Sequence, residues 1–124
     1  MPKFALDYTK SIIYKIEHNT NPELIYIGAT TDYDRRKYYH RNAAKNAGTK
    51  KHYKHTKLYD LIDKNGGWIN FTMQPIKQFP CNTYYELLAE ENRLIRELKA
   101  TLNEQNAVRD DNYMKYHNEY IEVL

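Results

Sequence analysis

Apolar residues recur along this chain with two different periods, and the switches between them divide it into elements. Ile12, Ile13 and Ile16 around Tyr14 form a β-branched run, closed by the turn-forming Asn19-Thr20-Asn21-Pro22. Leu24 to Ile27 is a second apolar run, ended by Gly28. The two runs predict a hairpin; with Tyr14 opposite Tyr26, period-two alternation puts both hydroxyls on one face. Thr31 with Asp34 three residues later is an N-cap signature, and it predicts a helix from about Asp32 to Asn46, stopped by Ala47-Gly48-Thr49. On that helix Arg36 and His40 are four apart and share a face. A short second helix, Lys57 to Lys64, carries Leu58, Leu61 and Ile62 on one side and stops at Asn65-Gly66-Gly67.

From Trp68 to Phe79 the period returns to two, with Ile69, Phe71 and Met73 against Asn70, Thr72 and Gln74, which predicts a half-buried strand. Pro75 within it predicts an edge position or a bend. After the turn Pro80-Cys81-Asn82, Thr83 and Glu86 form a capping box that opens a third helix running to about Lys99. Phe4, Leu6 and Tyr8 alternate and predict a further edge strand. At the other end Tyr113, Tyr116, Tyr120 and Leu124 are spaced as on a helix over Arg109–Leu124, which either packs on the domain or projects from it.

One residue breaks the pattern of the third helix. Leu87, Leu88, Leu94, Ile95 and Leu98 define its apolar stripe, and at about 100° per residue Glu91 falls near the middle of it. Glu86, Glu90 and Glu97 lie on the other side with Arg93 and Arg96, as solvated charges. A carboxylate against an apolar face costs several kcal/mol unless it is paired or holds a cation. Glu91 is therefore either half of a buried ion pair, with Arg36 as the partner, or a metal ligand where the stripe meets the hairpin. A Lewis-acidic metal beside an arginine suits phosphodiester cleavage, because negative charge accumulates on the scissile phosphate.

Composition narrows the class. At 124 residues one domain is expected, with enough buried surface for a core without staples. Most of the thirteen tyrosines are expected to supply amphipathic packing. The single Cys81 excludes an intramolecular disulfide and fits a reducing compartment. No apolar run approaches the roughly 20 residues of a membrane span, and the start of the chain lacks a signal-peptide core, so a soluble, intracellular protein is expected, with no membrane partner.

Net charge is only +3, but it is unevenly placed. Arg35, Arg36, Lys37, Arg41, Lys45, Lys50, Lys51, Lys54 and Lys57 follow one another with no Asp or Glu between them, whereas from Glu104 onward acids outnumber bases. A solvated helix face usually mixes in acids; an unbroken positive block is the footprint of a polyanion, here nucleic acid. His52 and His55 lie in the same block without other zinc-ligand spacing, and there is no Gly-rich phosphate loop, nucleophile elbow or Cys–His signature.

Tyr14 within I-I-Y, Y-I-G at Tyr26–Gly28, D-Y-D-R-R-K-Y-Y-H at Asp32–His40, E-N-R-L-I-R-E-L from Glu91 and L-N at Leu102–Asn103 together resemble the GIY-YIG nuclease family. The resemblance spans about Ser11 to Asn106, with the motifs in family order. It implies an α+β domain, a small three-stranded antiparallel sheet flanked by helices, over residues 1–106, with 107–124 as a C-terminal helical extension. It also implies roles. Tyr14 would be a general base or water-positioning group, and Tyr26 would help to orient water and phosphate. Arg36 would stabilise the pentacovalent phosphate, and His40 would contact the phosphate or assist proton transfer. Glu91 would hold a single Mg²⁺ or Mn²⁺, and Asn103 would brace the site. A tyrosine titrates near 10, so acting as a base near neutrality requires the metal and Arg36 to lower its pKa, or relay through water. The chain departs from the family where its first motif glycine is replaced by Ile12.

The resulting expectation is a metal-dependent DNA endonuclease of viral, phage or mobile-element type. It would cut double-stranded DNA, with specificity modest or supplied by a partner protein. Arg35, Lys37, Arg41, Lys45, Lys50, Lys51, Lys54 and Lys57 would follow the phosphates. The competing expectations are a non-catalytic DNA- or RNA-binding module and a structure-specific repair or recombination nuclease for branched or damaged DNA.

Overall fold

The computed structural model describes residues 6–46 and 56–103. Strands β1 (Ile12–His18), β2 (Ile25–Thr30) and β3 (Phe71–Gln78) form one antiparallel sheet in the order β2-β1-β3. Helices α1 (Tyr33–Lys45), α2 (Thr56–Lys64) and α3 (Tyr84–Glu97) flank it. The α+β class expected from the sequence is the observed one. β1 is paired on both sides, and its Ile13, Tyr14 and Ile16 have essentially no exposed surface.

Alternation along β1 sends neighbouring side chains to opposite faces. Tyr14 and Ile16 join Ala43, Ala44, Leu58, Tyr59, Ile62, Phe71, Met73 and Leu102 in one core, on the side of α1 and α2. Ile13 joins Ile25, Ile27, Leu87, Leu94 and Ile95 in a second core, under α3.

Several local expectations are corrected. Gly28 does not end the second strand; β2 continues through it to Thr30, because the turn residues come only after Thr30. The cap of α1 is Asp32 and not Thr31, since the Asp32 carboxylate accepts from the Arg35 N–H while Thr30 Oγ1 accepts from the Asp32 N–H. Trp68–Asn70 is a 3₁₀ turn, so β3 starts at Phe71, and Ile69 is 85 % exposed. Tyr8–Lys10 is a 3₁₀ turn capped by Asp7 in place of an edge strand, and Leu6 is exposed. Phe4 lies outside the described residues, as do the basic loop 47–55 and the segment 104–124.

Pro75 sits where both of its expected consequences occur. The outer side of β3 is a sheet edge, and the β1–β3 register shifts between Ile13, opposite Lys77, and Tyr14, opposite Pro75.

The other edge, β2, is covered by the chain leaving α3. The predicted capping box opens that helix, with Thr83 and Glu86 each bonding the other's backbone N–H. Its end comes at Glu97, short of the expected Lys99. Lys99 takes the left-handed conformation (φ 53°), and the Ala100 N–H reaches back to the Ile95 carbonyl at 3.0 Å. That reversal brings Thr101, Leu102 and Asn103 along β2. The Leu102 N–H donates to the Ile25 carbonyl at 3.0 Å, and Thr101 Oγ1 donates to the Glu23 carbonyl. The Asn103 amide then pairs with both backbone groups of Ile27, each at 2.9 Å. An exposed strand edge is thereby blunted by a side chain acting as a strand.

Candidate active site

Tyr14 lies at the centre. The register places it opposite Gly28, with Ile16 opposite Tyr26, so the expected Tyr14–Tyr26 pairing is offset by two residues. An even offset preserves the face, and both phenols still point toward α1. The Tyr14 ring and hydroxyl lie directly over Gly28, where any Cβ would collide with them. Gly28 is thus required by close approach, since only a residue without a side chain leaves room for the phenol.

Helix α1 brings its own residues to the same place. His40 is fully buried, and its Nε2 is 2.7 Å from the Tyr14 hydroxyl. Its Nδ1 is 2.9 Å from the hydroxyl of Tyr59 on α2. Tyr26 packs around this pair, its ring centroid 6.4 Å from that of Tyr14 and 5.8 Å from that of His40. Tyr33 meets Tyr14 edge-on at 6.1 Å and bonds the Met73 carbonyl. Aromatic rings at such separations favour tilted and edge-to-face packing, as seen here.

Glu91 reaches the site from α3 and is half-buried. Among the described residues no hydrogen bond or ion pair holds its carboxylate, so the expected alternative of an ion pair with Arg36 is not formed. Burial pushes its pKa up to about 7, and Arg36 offsets this only partly. The neighbouring Glu90 shows what pairing does. It was expected to be simply solvated, but its carboxylate takes Lys77 at 2.7 Å and Arg93 at 2.8 Å and its pKa is held down at about 2. Leu98, assigned to the apolar stripe, is 39 % exposed because the helix has already ended.

Tyr14 feels all of these groups. Its phenol is pushed well above its ordinary pKa, first by burial, then by Tyr26 and Glu91, against the lowering pull of Arg36. Tyr14 is therefore a neutral phenol near pH 7. The lowering expected from Arg36 is present, and burial outweighs it. Arg36, one turn before His40, also lines a cavity of about 530 Å³ with Ala29, Thr30, Thr31, Arg35 and Leu87, the last one turn before Glu91.

Asn103 is not among the convergent groups. It acts on Ile27, between Tyr26 and Gly28, and so fixes the strand that carries them. Of the basic residues, Arg35, Lys37, Arg41, Lys45 and Lys57 are exposed, with Arg41 stacked 5.7 Å over the Tyr38 ring, whereas Lys50, Lys51 and Lys54 lie outside the described residues. Tyr59 was missed by the sequence reading, which assigned no chemistry to it. Gly28 was read as a strand terminator. Its place as the glycine of the Y-I-G motif at Tyr26–Gly28 was the signal that could have marked it.

The described residues contain no cluster of three or more His, Cys, Asp or Glu side chains suited to a metal ion. One otherwise unpaired carboxylate does suit Mg²⁺ or Mn²⁺, which keep several waters and are bound through one or two carboxylates together with substrate phosphates. No helix among the described residues is long and apolar enough to cross a membrane.

Comparison with known proteins agrees with this geometry. Residues 10–106 match the family model described as the GIY-YIG catalytic domain. The fold is similar to the structure of the catalytic domain of homing endonuclease I-TevI. The TM-score is 0.61 with 23 % sequence identity, over 76 % of this chain and 94 % of that one. No curated protein sequence matches the chain. Since the family model covers most of the sequence and the motifs fall on the hairpin, α1 and α3 in order, the chain belongs to the GIY-YIG family of nucleases.

Proposed function

We propose that the chain is a DNA endonuclease that hydrolyses phosphodiester bonds with one divalent metal, Mg²⁺ or Mn²⁺, held by Glu91. The observation that carries this reading is the half-buried Glu91 carboxylate, unpaired among the described residues and within electrostatic reach of Arg36 and of Tyr14, which His40 holds. When bound, the ion would supply Lewis acidity to a phosphoryl oxygen. The Arg36 guanidinium would hold the non-bridging oxygens and stabilise the charge that builds in the transition state. Tyr14 stays protonated, so its part is a relay. It accepts the proton of the attacking water as its own proton passes to His40 Nε2. Tyr26 orients the water and the phosphate, and Asn103 holds β2 in register beneath them.

The substrate we propose is double-stranded DNA, lying on the basic surface of α1 with Arg35, Lys37, Arg41, Lys45 and Lys57 against phosphates. Lys50, Lys51 and Lys54 extend that set along the chain. The support is the absence of any acid from Arg35 to Lys57 together with the exposure of the described members. Specificity is proposed to be modest or supplied by a partner protein.

The test is a metal-dependent cleavage assay on supercoiled plasmid and on linear, branched and damaged duplexes. Wild type should cut with Mg²⁺ or Mn²⁺ and not with EDTA, while Glu91→Ala should bind DNA with wild-type salt sensitivity and fail to cut. Wild type that binds every form and cuts none would make the chain a nucleic-acid-binding module.

A further inference from the structure

Both nitrogens of His40 are engaged, and that makes the direction of its hydrogen bonds a chemical question. A neutral imidazole has one N–H donor and one acceptor, so Tyr14 and Tyr59 cannot play the same part toward it. In one arrangement Tyr59 donates to Nδ1, and Nε2–H donates to the Tyr14 oxygen. In the other Tyr14 donates to Nε2, and Nδ1–H donates to the Tyr59 oxygen.

The two lengths separate them: 2.7 Å at Tyr14 is the length of a bond donated by a hydroxyl, and 2.9 Å at Tyr59 that of a bond donated by a ring N–H. Tyr14 is 1 % exposed, and His40 Nε2 at 2.7 Å is its hydroxyl's one hydrogen-bond partner among the described residues. If Nε2 carried the proton, the Tyr14 hydroxyl would accept that bond and its own hydrogen would be buried without an acceptor among the described residues. An unmet buried donor is among the more expensive defects a protein interior can carry. With Nε2 bare, the Tyr14 hydrogen is satisfied and the remaining ring proton sits on Nδ1, 2.9 Å from the Tyr59 oxygen. Tyr59 is buried too, at 2 % exposed, but it makes a further interaction besides that with His40, and it rides on α2, packed against α1, so its oxygen is held in place by the core.

The geometry assigns Tyr59 as a positioning residue: its oxygen accepts the Nδ1 proton of His40, which holds Nε2 bare to receive the proton of Tyr14. This deepens the nuclease reading above and rests on it for its catalytic consequence. In the relay, the proton of water moves to the Tyr14 oxygen as the Tyr14 proton moves to Nε2. The resulting imidazolium keeps its Nδ1–H on Tyr59, so no other hydrogen bond has to be remade. In the opposite tautomer Nε2 already carries hydrogen and the relay is blocked. His40 is faced by the phenols of Tyr14 on β1, Tyr26 on β2, Tyr39 on α1 and Tyr59 on α2, with the Arg36 guanidinium one turn away on α1.

The test uses the full chain labelled with ¹⁵N-histidine, free of metal, beside Tyr59→Phe, which removes one oxygen and keeps the ring. Wild-type His40 should show the Nδ1–H tautomer. In Tyr59→Phe the ring should move toward the Nε2–H form, and kcat for DNA cleavage should fall roughly 10- to 100-fold with KM unchanged. A wild-type His40 found as Nε2–H overturns the assignment without need of any variant. So does a Tyr59→Phe protein that keeps both the wild-type tautomer and the wild-type rate. A wild type that cuts no DNA would defeat the nuclease reading, while the tautomer spectra would still decide the role of Tyr59 toward His40.

Discussion

The two faces of the sheet bury polar groups in opposite ways. On the α1–α2 side, Tyr14, His40 and Tyr59 are almost wholly enclosed, and each is hydrogen-bonded to the next. On the α3 side the core is aliphatic, and Glu91 beside it has no partner among the described residues. A satisfied polar network can rigidify a core, whereas an unpaired buried acid only costs stability. On the proposed function the first kind of group serves structure and chemistry together, and the second, held against stability, is the carboxylate proposed to take the cation. Glu90, one residue away, is paired with Lys77 of β3 and Arg93 of α3, so cations are at hand on this face where a salt bridge is all that is needed.

This contrast can be broken most severely at Gly28. A methyl group there would occupy the space of the Tyr14 hydroxyl. Gly28→Ala should destabilise the fold by about 1–3 kcal/mol and reduce cleavage by at least about 100-fold, read by denaturant melts and plasmid nicking. Wild-type activity in that variant would mean that Tyr14 need not sit where it does.

Glu91 should behave with the opposite sign in stability. Its folded pKa of about 7 lies above the ordinary value of 4.5, so the folded state prefers the neutral acid. Below the unfolded pKa there is no penalty; it grows as pH rises from about 4.5 to 7 and is complete above that. Metal-free Glu91→Gln should therefore be more stable than wild type by up to about 3 kcal/mol at pH 8 and nearly equal to it at pH 4. Equal stabilities at both pH values would remove the claim that this carboxylate is held at a cost.

A smaller loss is expected at the β2 edge. Asn103→Ala removes two hydrogen bonds and leaves the Ile27 groups unmet, costing about 1–3 kcal/mol. Hydrogen exchange at Ile27 should accelerate more than at Ile13 in the central strand. The smallest effect belongs to Glu90. Its bridges involve cations that are 39 % and 49 % exposed, so Glu90→Gln should change stability by about 1 kcal/mol or less and leave cleavage intact.

Much of this arrangement was legible because it is local. The capping box at Thr83 and Glu86, the strand periods around Ile12 and Phe71, and the misfit of Glu91 all depend on residues within a turn or two of each other. Pro75 gave both an edge and an irregular register for the same reason. The hairpin register was not legible. The loop from Asn19 to Leu24 closes with the His18 N–H on the Leu24 carbonyl and an Asn21 side chain on the Glu23 N–H, and that closure sets Tyr14 against Gly28. Tyr59 was invisible for a different reason. Its partner is 19 residues away on another helix, and a tyrosine on a buried face looks the same whether or not its hydroxyl has work to do.

The central claim is that Glu91 is the group on which metal-dependent cleavage turns. Nicking of supercoiled plasmid by wild type and Glu91→Gln, across a Mg²⁺ titration at pH 8, tests it most directly. The account predicts Mg²⁺-dependent nicking by wild type and a loss of at least about 1,000-fold in Glu91→Gln despite its greater stability. Nicking by Glu91→Gln at the wild-type rate and Mg²⁺ dependence would contradict it.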